Sequence, residues 1–196
     1  AGEEGPPMRI YVVKKQFGDK TVLRNFYGEF PEGKVTFLTG PSGGGKTTIL
    51  RLLSGLDTDY SGTMEGRPTS PVFLFQEDRL IESISVMSNL KAVNGDEQLI
   101  RELLEGIGLG SEASSKVSTL SGGMKRRVAI VRMLLLQGDA YFLDEPFTGL
   151  DKEARMKSAR LISAYTRNKT VVVVSHDEED ALLLGKEKEV VLGGNQ

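Results

Sequence analysis

Apolar residues come in short runs along this chain, and their spacing changes from strand-like to helix-like and back. Residues 8–13 and 21–26 are β-prone runs separated by a turn around Gly18-Asp19. Residues 35–39 form a third apolar run that ends at Gly40, and residues 47–53 then start like a helix that Gly55 stops. Residues 71–75 predict another strand. From about 83 to 117 the pattern turns helical. Leu99, Ile100, Leu103, Leu104 and Ile107 share one face there, as a core-facing helix requires. Met124, Val128, Val131 and Leu135 make a second stripe, with Lys125, Arg126, Arg127 and Arg132 mostly on other faces. Residues 141–143 and 170–174 are almost uniformly apolar, as parallel strands covered on both sides are. Residues 152–165 supply a helix between them. This alternation predicts an α/β fold with mostly parallel central strands.

Composition narrows the setting. The 196 residues, 39% hydrophobic and 27% charged, suit one soluble domain large enough to bury a core, over 8–196. A net charge of −2 argues against a nucleic-acid partner, which usually meets a basic surface. With no cysteine, neither a disulfide framework nor a thiolate metal site can form, and a reducing cytosol is compatible. No apolar run approaches the ~20 residues that cross a bilayer, so any membrane role comes through another chain. Residues 1–7 are rich in Gly, Pro and Glu; they read as a leader or expression remnant, or as a native mobile N-terminus.

Gly40-Pro41-Ser42-Gly43-Gly44-Gly45-Lys46-Thr47 fits the phosphate-loop pattern of glycine, four residues, glycine, lysine and serine or threonine. The glycines let the backbone aim several N–H groups at phosphates, and the following helix, through Thr48, adds the positive end of its dipole. Lys46 can reach the β- and γ-phosphates of a nucleotide, and the Thr47 hydroxyl can hold Mg²⁺. A plain Gly-rich hairpin is the competing reading, but a strand before the loop and a helix after it give the context that the motif requires.

Leu120-Ser121-Gly122-Gly123 opens the second stripe, with Ser121 where a helix cap belongs and the glycines exposing N–H groups. Such a turn is common on its own. Asp144 leaves an apolar strand and is followed by Glu145 and Pro146; beside a phosphate loop, Asp144 suits Mg²⁺ and Glu145 suits activation of a water. Acidic pairs also cap helices, and only the strand in front favours the chemical reading.

Taken together, the phosphate loop, Leu120-Ser121-Gly122-Gly123, Asp144-Glu145-Pro146, Thr148-Gly149-Leu150-Asp151 and Ser175-His176-Asp177 resemble the nucleotide-binding domain of ATP-binding cassette (ABC) proteins. The motifs stand in that family's order, over essentially residues 8–193. The resemblance implies a P-loop NTPase core with a small antiparallel β portion and a compact helical subdomain at about 83–137. It implies that Gln76 touches Mg²⁺ and the attacking water, although a glutamine at a strand end is otherwise merely solvated. It places Phe17 as the aromatic that stacks on adenine, against the alternative of a core or hairpin aromatic. His176, the single histidine, resembles the switch residue that contacts the γ-phosphate, and Asp151 the residue that links two subunits. Met124 stands where the family usually has glutamine, a substitution familiar in one importer branch. The 20 residues after His176 leave no room for a C-terminal regulatory domain.

The activity implied is hydrolysis of ATP with Mg²⁺, by a homodimer whose phosphate loops each face the partner's Ser121-Gly122-Gly123. The chain is then a peripheral subunit on the cytoplasmic face of the membrane, working with transmembrane permease subunits and, through them, a substrate-binding protein. Asp144-Glu145-Pro146-Phe147 and Gln76-Glu77-Asp78-Arg79-Leu80 resemble the bacterial importer branch that serves nitrate, sulfonates, taurine and pyrimidine precursors. An exporter ATPase, or a soluble ABC ATPase such as an iron–sulfur assembly component, is the alternative.

Overall fold

The computed structural model describes residues 6–193, so the segment expected as a leader lies largely outside the described residues. A five-stranded parallel sheet forms the centre, in the order β5 (Pro71–Leu74), β6 (Ala140–Asp144), β7 (Thr170–Val174), β3 (Val35–Thr39) and β8 (Lys188–Val191). Every residue of β6 and β7 is buried, which explains their uniformly apolar sequence. Their side chains alternate between two cores. Tyr141, Leu143, Val171 and Val173 enter one, while Ala140, Phe142, Val172 and Val174 enter the other.

The first core packs the sheet against α2 (Val86–Lys91), α3 (Glu97–Gly106), α4 (Gly122–Leu135), α5 (Lys152–Tyr165) and α6 (Glu178–Leu184). In the second, α1 (Lys46–Leu53) supplies Ile49, Leu50, Leu52 and Leu53. They meet Ile10, Val12, Leu23, Phe26 and Phe30 of an antiparallel sheet, β2 (Lys20–Phe30), β1 (Met8–Phe17) and β4 (Ser61–Glu65). The result is an α/β fold with one parallel and one small antiparallel sheet.

The structure corrects several expected boundaries. The first two strands run on to Phe17 and Phe30 and close as a tight hairpin, Phe17 pairing with Lys20 across left-handed Gly18. The stretch expected to be helical over 83–117 is two short helices followed by 3₁₀ turns at Gly110–Glu112 and Val117–Thr119. Asn94-Gly95 breaks the first helix from the second, and Asp96 caps the second by accepting from the Leu99 amide at 3.0 Å. The pattern did not predict β4, β8 or α6. In β4, Gly62 lies so close to the Tyr11 carbonyl that a Cβ there would stand 2.0 Å from the oxygen, so a backbone approach rather than apolar alternation makes the pairing.

Candidate functional site

All the parallel strands release their chains at one edge of the sheet, where ligands of open α/β sheets bind. The loop 40–45 follows β3, Gln76 follows β5, Glu145 follows β6 and His176 follows β7. A cavity of about 330 Å³ lies at this edge, lined among others by Phe17, Ser42, Lys46, Thr47, Gln76, Asp144, Glu145 and His176.

The loop is folded tightly onto its own backbone. Gly45 stands at the N-cap of α1 with φ of 93°, and a Cβ there would meet the Leu23 side chain at 2.8 Å. No side chain caps α1, so the amides of its first turn are left to the cavity. Gly44 N–H donates to Pro41 O at 3.0 Å, and Lys46 Nζ donates to Gly40 O and Pro41 O, both at 2.8 Å. That last pair holds the loop as a ring around its own ammonium. Gly43 and Thr48 also line the cavity; Pro41 and Gly44 do not, and Gly40 faces a neighbouring cleft with Lys46 and His176.

Thr47 Oγ1 donates to Asp144 Oδ2 at 2.8 Å. Asp144 is 2% exposed, and burial pushes its carboxyl above the usual range; the Thr47 bond offsets this only in part, and the neighbouring Glu145 charge adds to it. Glu145 has a left-handed backbone, φ 48°, in which non-glycine residues are strained. Its N–H donates to Val174 O at 2.8 Å, and its side chain contacts His176 Nδ1, whose Nε2 lies 3.3 Å from Ser42 Oγ. Among the described residues no three His, Cys, Asp or Glu side chains cluster as a metal cage. One buried carboxylate, a hydroxyl and an amide do fit Mg²⁺, which takes one or two carboxylates and draws its remaining oxygens from phosphate and water.

Phe17 is 52% exposed at the mouth of the cavity, which excludes the core reading, and it closes the β1–β2 hairpin. Beneath it, Lys15 Nζ lies 4.6 Å from the ring centroid and 2.9 Å from Asp57. Lys15 is buried because the pairing of β1 with β4 slips between Val12 and Lys14, so Lys15 rather than Lys14 faces inward.

Two expected groups stand apart from this cavity. Ser121 caps α4, accepting from Met124 N at 3.2 Å, with Gly122 and Gly123 behind it. Asp151 caps α5, accepting from Ala154 N at 2.8 Å. These two caps are neighbours, since a Cβ on Gly123 would lie 3.0 Å from Gly149 O.

The sequence reading missed Arg126. It is 3% exposed, and its guanidinium reaches into the ends of β5 and β6. The signal was present: Arg126 lies four and seven residues before Ile130 and Met133, on the face of α4 that they bury.

A family model described as ABC transporter matches residues 23–148, more than half of the chain. The chain belongs to the ABC transporter family. Similar proteins include three named as aliphatic sulfonates import ATP-binding proteins. That of Burkholderia lata is 35% identical over 92% of this chain and 71% of the relative. That of Nocardia farcinica is 38% identical over 95% and 77%, and that of Pseudomonas syringae pv. tomato 37% over 95% and 82%. A solved structure titled as the ATP binding subunit of an ABC transporter superposes with a TM-score of 0.81 at 21% identity, over 95% of this chain and 85% of that one, and shows the same fold.

Proposed function

We propose that this chain is the ATP-binding and ATP-hydrolysing subunit of a bacterial ABC importer, energising a separate transmembrane permease. The observation that carries the reading is the meeting of Lys46, Thr47, Gln76, Asp144, Glu145 and His176 around one cavity at the carboxyl edge of the parallel sheet. The amides of the 40–45 loop and of α1, with Lys46, bind the triphosphate, and Phe17 stacks on adenine. Thr47, Asp144 and Gln76 would hold Mg²⁺, which supplies charge neutralisation to the phosphate oxygens. Glu145 orients a water and accepts its proton; its contact with His176 fixes the carboxylate beside the loop.

Ser121, Gly122, Gly123 and Asp151 do not reach the cavity of their own chain, which supports a homodimer in which each serves the partner's nucleotide. The helices α2 to α4 would form the compact helical subdomain within a single domain. Residues 76–88 would dock a permease helix; Ile81 there is 56% exposed. No helix among the described residues is long and apolar enough to cross a membrane, in keeping with a peripheral subunit on the cytoplasmic face. The names of the relatives support an aliphatic sulfonate as cargo, and a substrate-binding protein would deliver it to the permease.

Purification of the tagged chain from native membranes tests this reading. Membrane-spanning partner chains are the expected company. Recovery in the soluble fraction with iron–sulfur assembly proteins instead would replace the transporter reading with that of a soluble ABC ATPase.

A further inference from the structure

One guanidinium joins three segments of the site. Arg126 Nε donates to Pro146 O at 3.0 Å, and Nη2 to Asp144 O at 2.9 Å and Glu145 O at 2.8 Å. Its Nη1 donates to Phe75 O at 2.6 Å and Gln76 O at 3.4 Å, and pairs with Asp78 Oδ1 at 3.2 Å. The fork thus spans the loop that carries Gln76 and the loop that carries Glu145, from a helix that begins at Ser121. Arginine suits this place because its five N–H donors are fixed in a plane, whereas a lysine offers one point of attachment.

We propose that Arg126 is a positioning residue that makes the Gln76 loop, the Glu145 loop and α4 move as one body, holding Glu145 in its catalytic posture. The strained backbone of Glu145 is the reason such a device is needed. A left-handed glutamate persists only where its surroundings over-determine it. Here Val174 O takes its N–H, while Arg126 takes its carbonyl and those on either side. A second arginine on the same helix, Arg132, donates to Asp78 O and Arg79 O, both at 2.6 Å, so α4 grips the Gln76 loop at two places. Without the fork, the Glu145 backbone relaxes and its carboxylate leaves His176. The phosphate loop, which makes no bond to Arg126, keeps its shape. Arg126 therefore acts on turnover and leaves the loop's own grip on the phosphates in place, reaching affinity only through the Mg²⁺ that Gln76 and Asp144 would hold, and any rotation of α4 that brings Ser121 toward a partner also carries Glu145.

This proposal rests on the reading of the cavity as an ATPase site, and the test separates the two. Arg126→Lys and Arg126→Gln are compared with the wild-type chain and Glu145→Gln. ATP affinity and stoichiometry are measured by calorimetry without Mg²⁺, and single-turnover hydrolysis with Mg²⁺ is measured at high protein concentration and scaled to the ATP-binding fraction. Both Arg126 variants should bind ATP within about twofold of wild type and hydrolyse it at least about tenfold more slowly, as a small misplacement of a catalytic group does. A fall in melting temperature with an unchanged scaled rate overturns the proposal, as does loss of ATP binding in both variants, because either outcome makes Arg126 a fold residue. A Glu145→Gln chain that turns over at the wild-type rate, or a wild-type chain that does not hydrolyse ATP, overturns the underlying reading instead.

Discussion

The cavity has two ends, and they treat buried charge in opposite ways. Under Phe17, Lys15 is 2% exposed, yet it lies 2.9 Å from Asp57 and donates to the Asp59 carbonyl. Burial pushes the Asp57 carboxyl up, but bonds from Lys15 and from the Asp59 amide prevail and hold it below the usual range. At the other end, Asp144 is more deeply buried than Asp57 and, among the described residues, its carboxyl has only the Thr47 hydroxyl as a bonding partner, so burial prevails and the carboxyl is pushed up. Glu145 next to it adds backbone strain. Where a charge serves the fold, the chain supplies the counter-charge within bonding distance. Where it serves chemistry, the chain tolerates an unfavourable state.

The largest expected effect lies at the strained end. Glu145→Gln should lower single-turnover hydrolysis by about 10²–10⁴-fold, the usual worth of a positioned general base, while leaving magnesium-ATP affinity in place. An unchanged rate would return Glu145 to the role of a mere turn residue. The matched end should answer in stability. Lys15→Met strands the Asp57 carboxylate and should cost about 3–5 kcal/mol in urea denaturation, the usual loss on breaking a buried pair. A loss below about 1 kcal/mol would show that the pair behaves as a solvated one.

Phe17→Ala should weaken ATP binding by about 1–3 kcal/mol, the worth of a base stacked on an aromatic side chain. Inorganic tripolyphosphate, which has no base, should bind as before. An equal loss for both ligands would mean that Phe17 supports the loop rather than adenine.

The two carboxylates themselves should answer with opposite signs. At neutral pH, Asp57→Asn should lower the melting temperature and Asp144→Asn should raise it, by about 2–4 °C for each 1 kcal/mol in a chain of this size. Asp57 titrates lower in the folded chain than in the unfolded one. Its contribution is therefore present above the unfolded value of about 3.9 and is lost as the pH falls through the folded value. Asp144 titrates higher when folded, so its penalty grows as the pH rises from about 3.9 through that raised value and vanishes in acid. Shifts of the same sign in melts from pH 3 to pH 7 would break the comparison.

These contrasts also divide what the sequence made legible from what it did not. The phosphate-binding segment 40–48 was readable because glycines, one lysine and one hydroxyl at fixed spacing state their chemistry locally. The β6 and β7 strands were readable because burial on both faces leaves uniformly apolar runs. Lys15 and Arg126 were not, because their burial depends on distant partners: a slip against β4 for one, and the carbonyls at the ends of β5 and β6 for the other. The mixed polar sequences of β8 and α6 gave no periodic signal, and the long helical stretch expected over 83–117 ignored the break at Asn94-Gly95.

The central claim is that residues 40–48 hold a triphosphate, and a calorimetric titration of magnesium-ATP tests it most directly. Wild-type chain should bind the nucleotide, and Lys46→Ala should lose tight binding because it removes the one side-chain cation of the loop. An unchanged affinity in Lys46→Ala, with the melting temperature intact, would contradict the account.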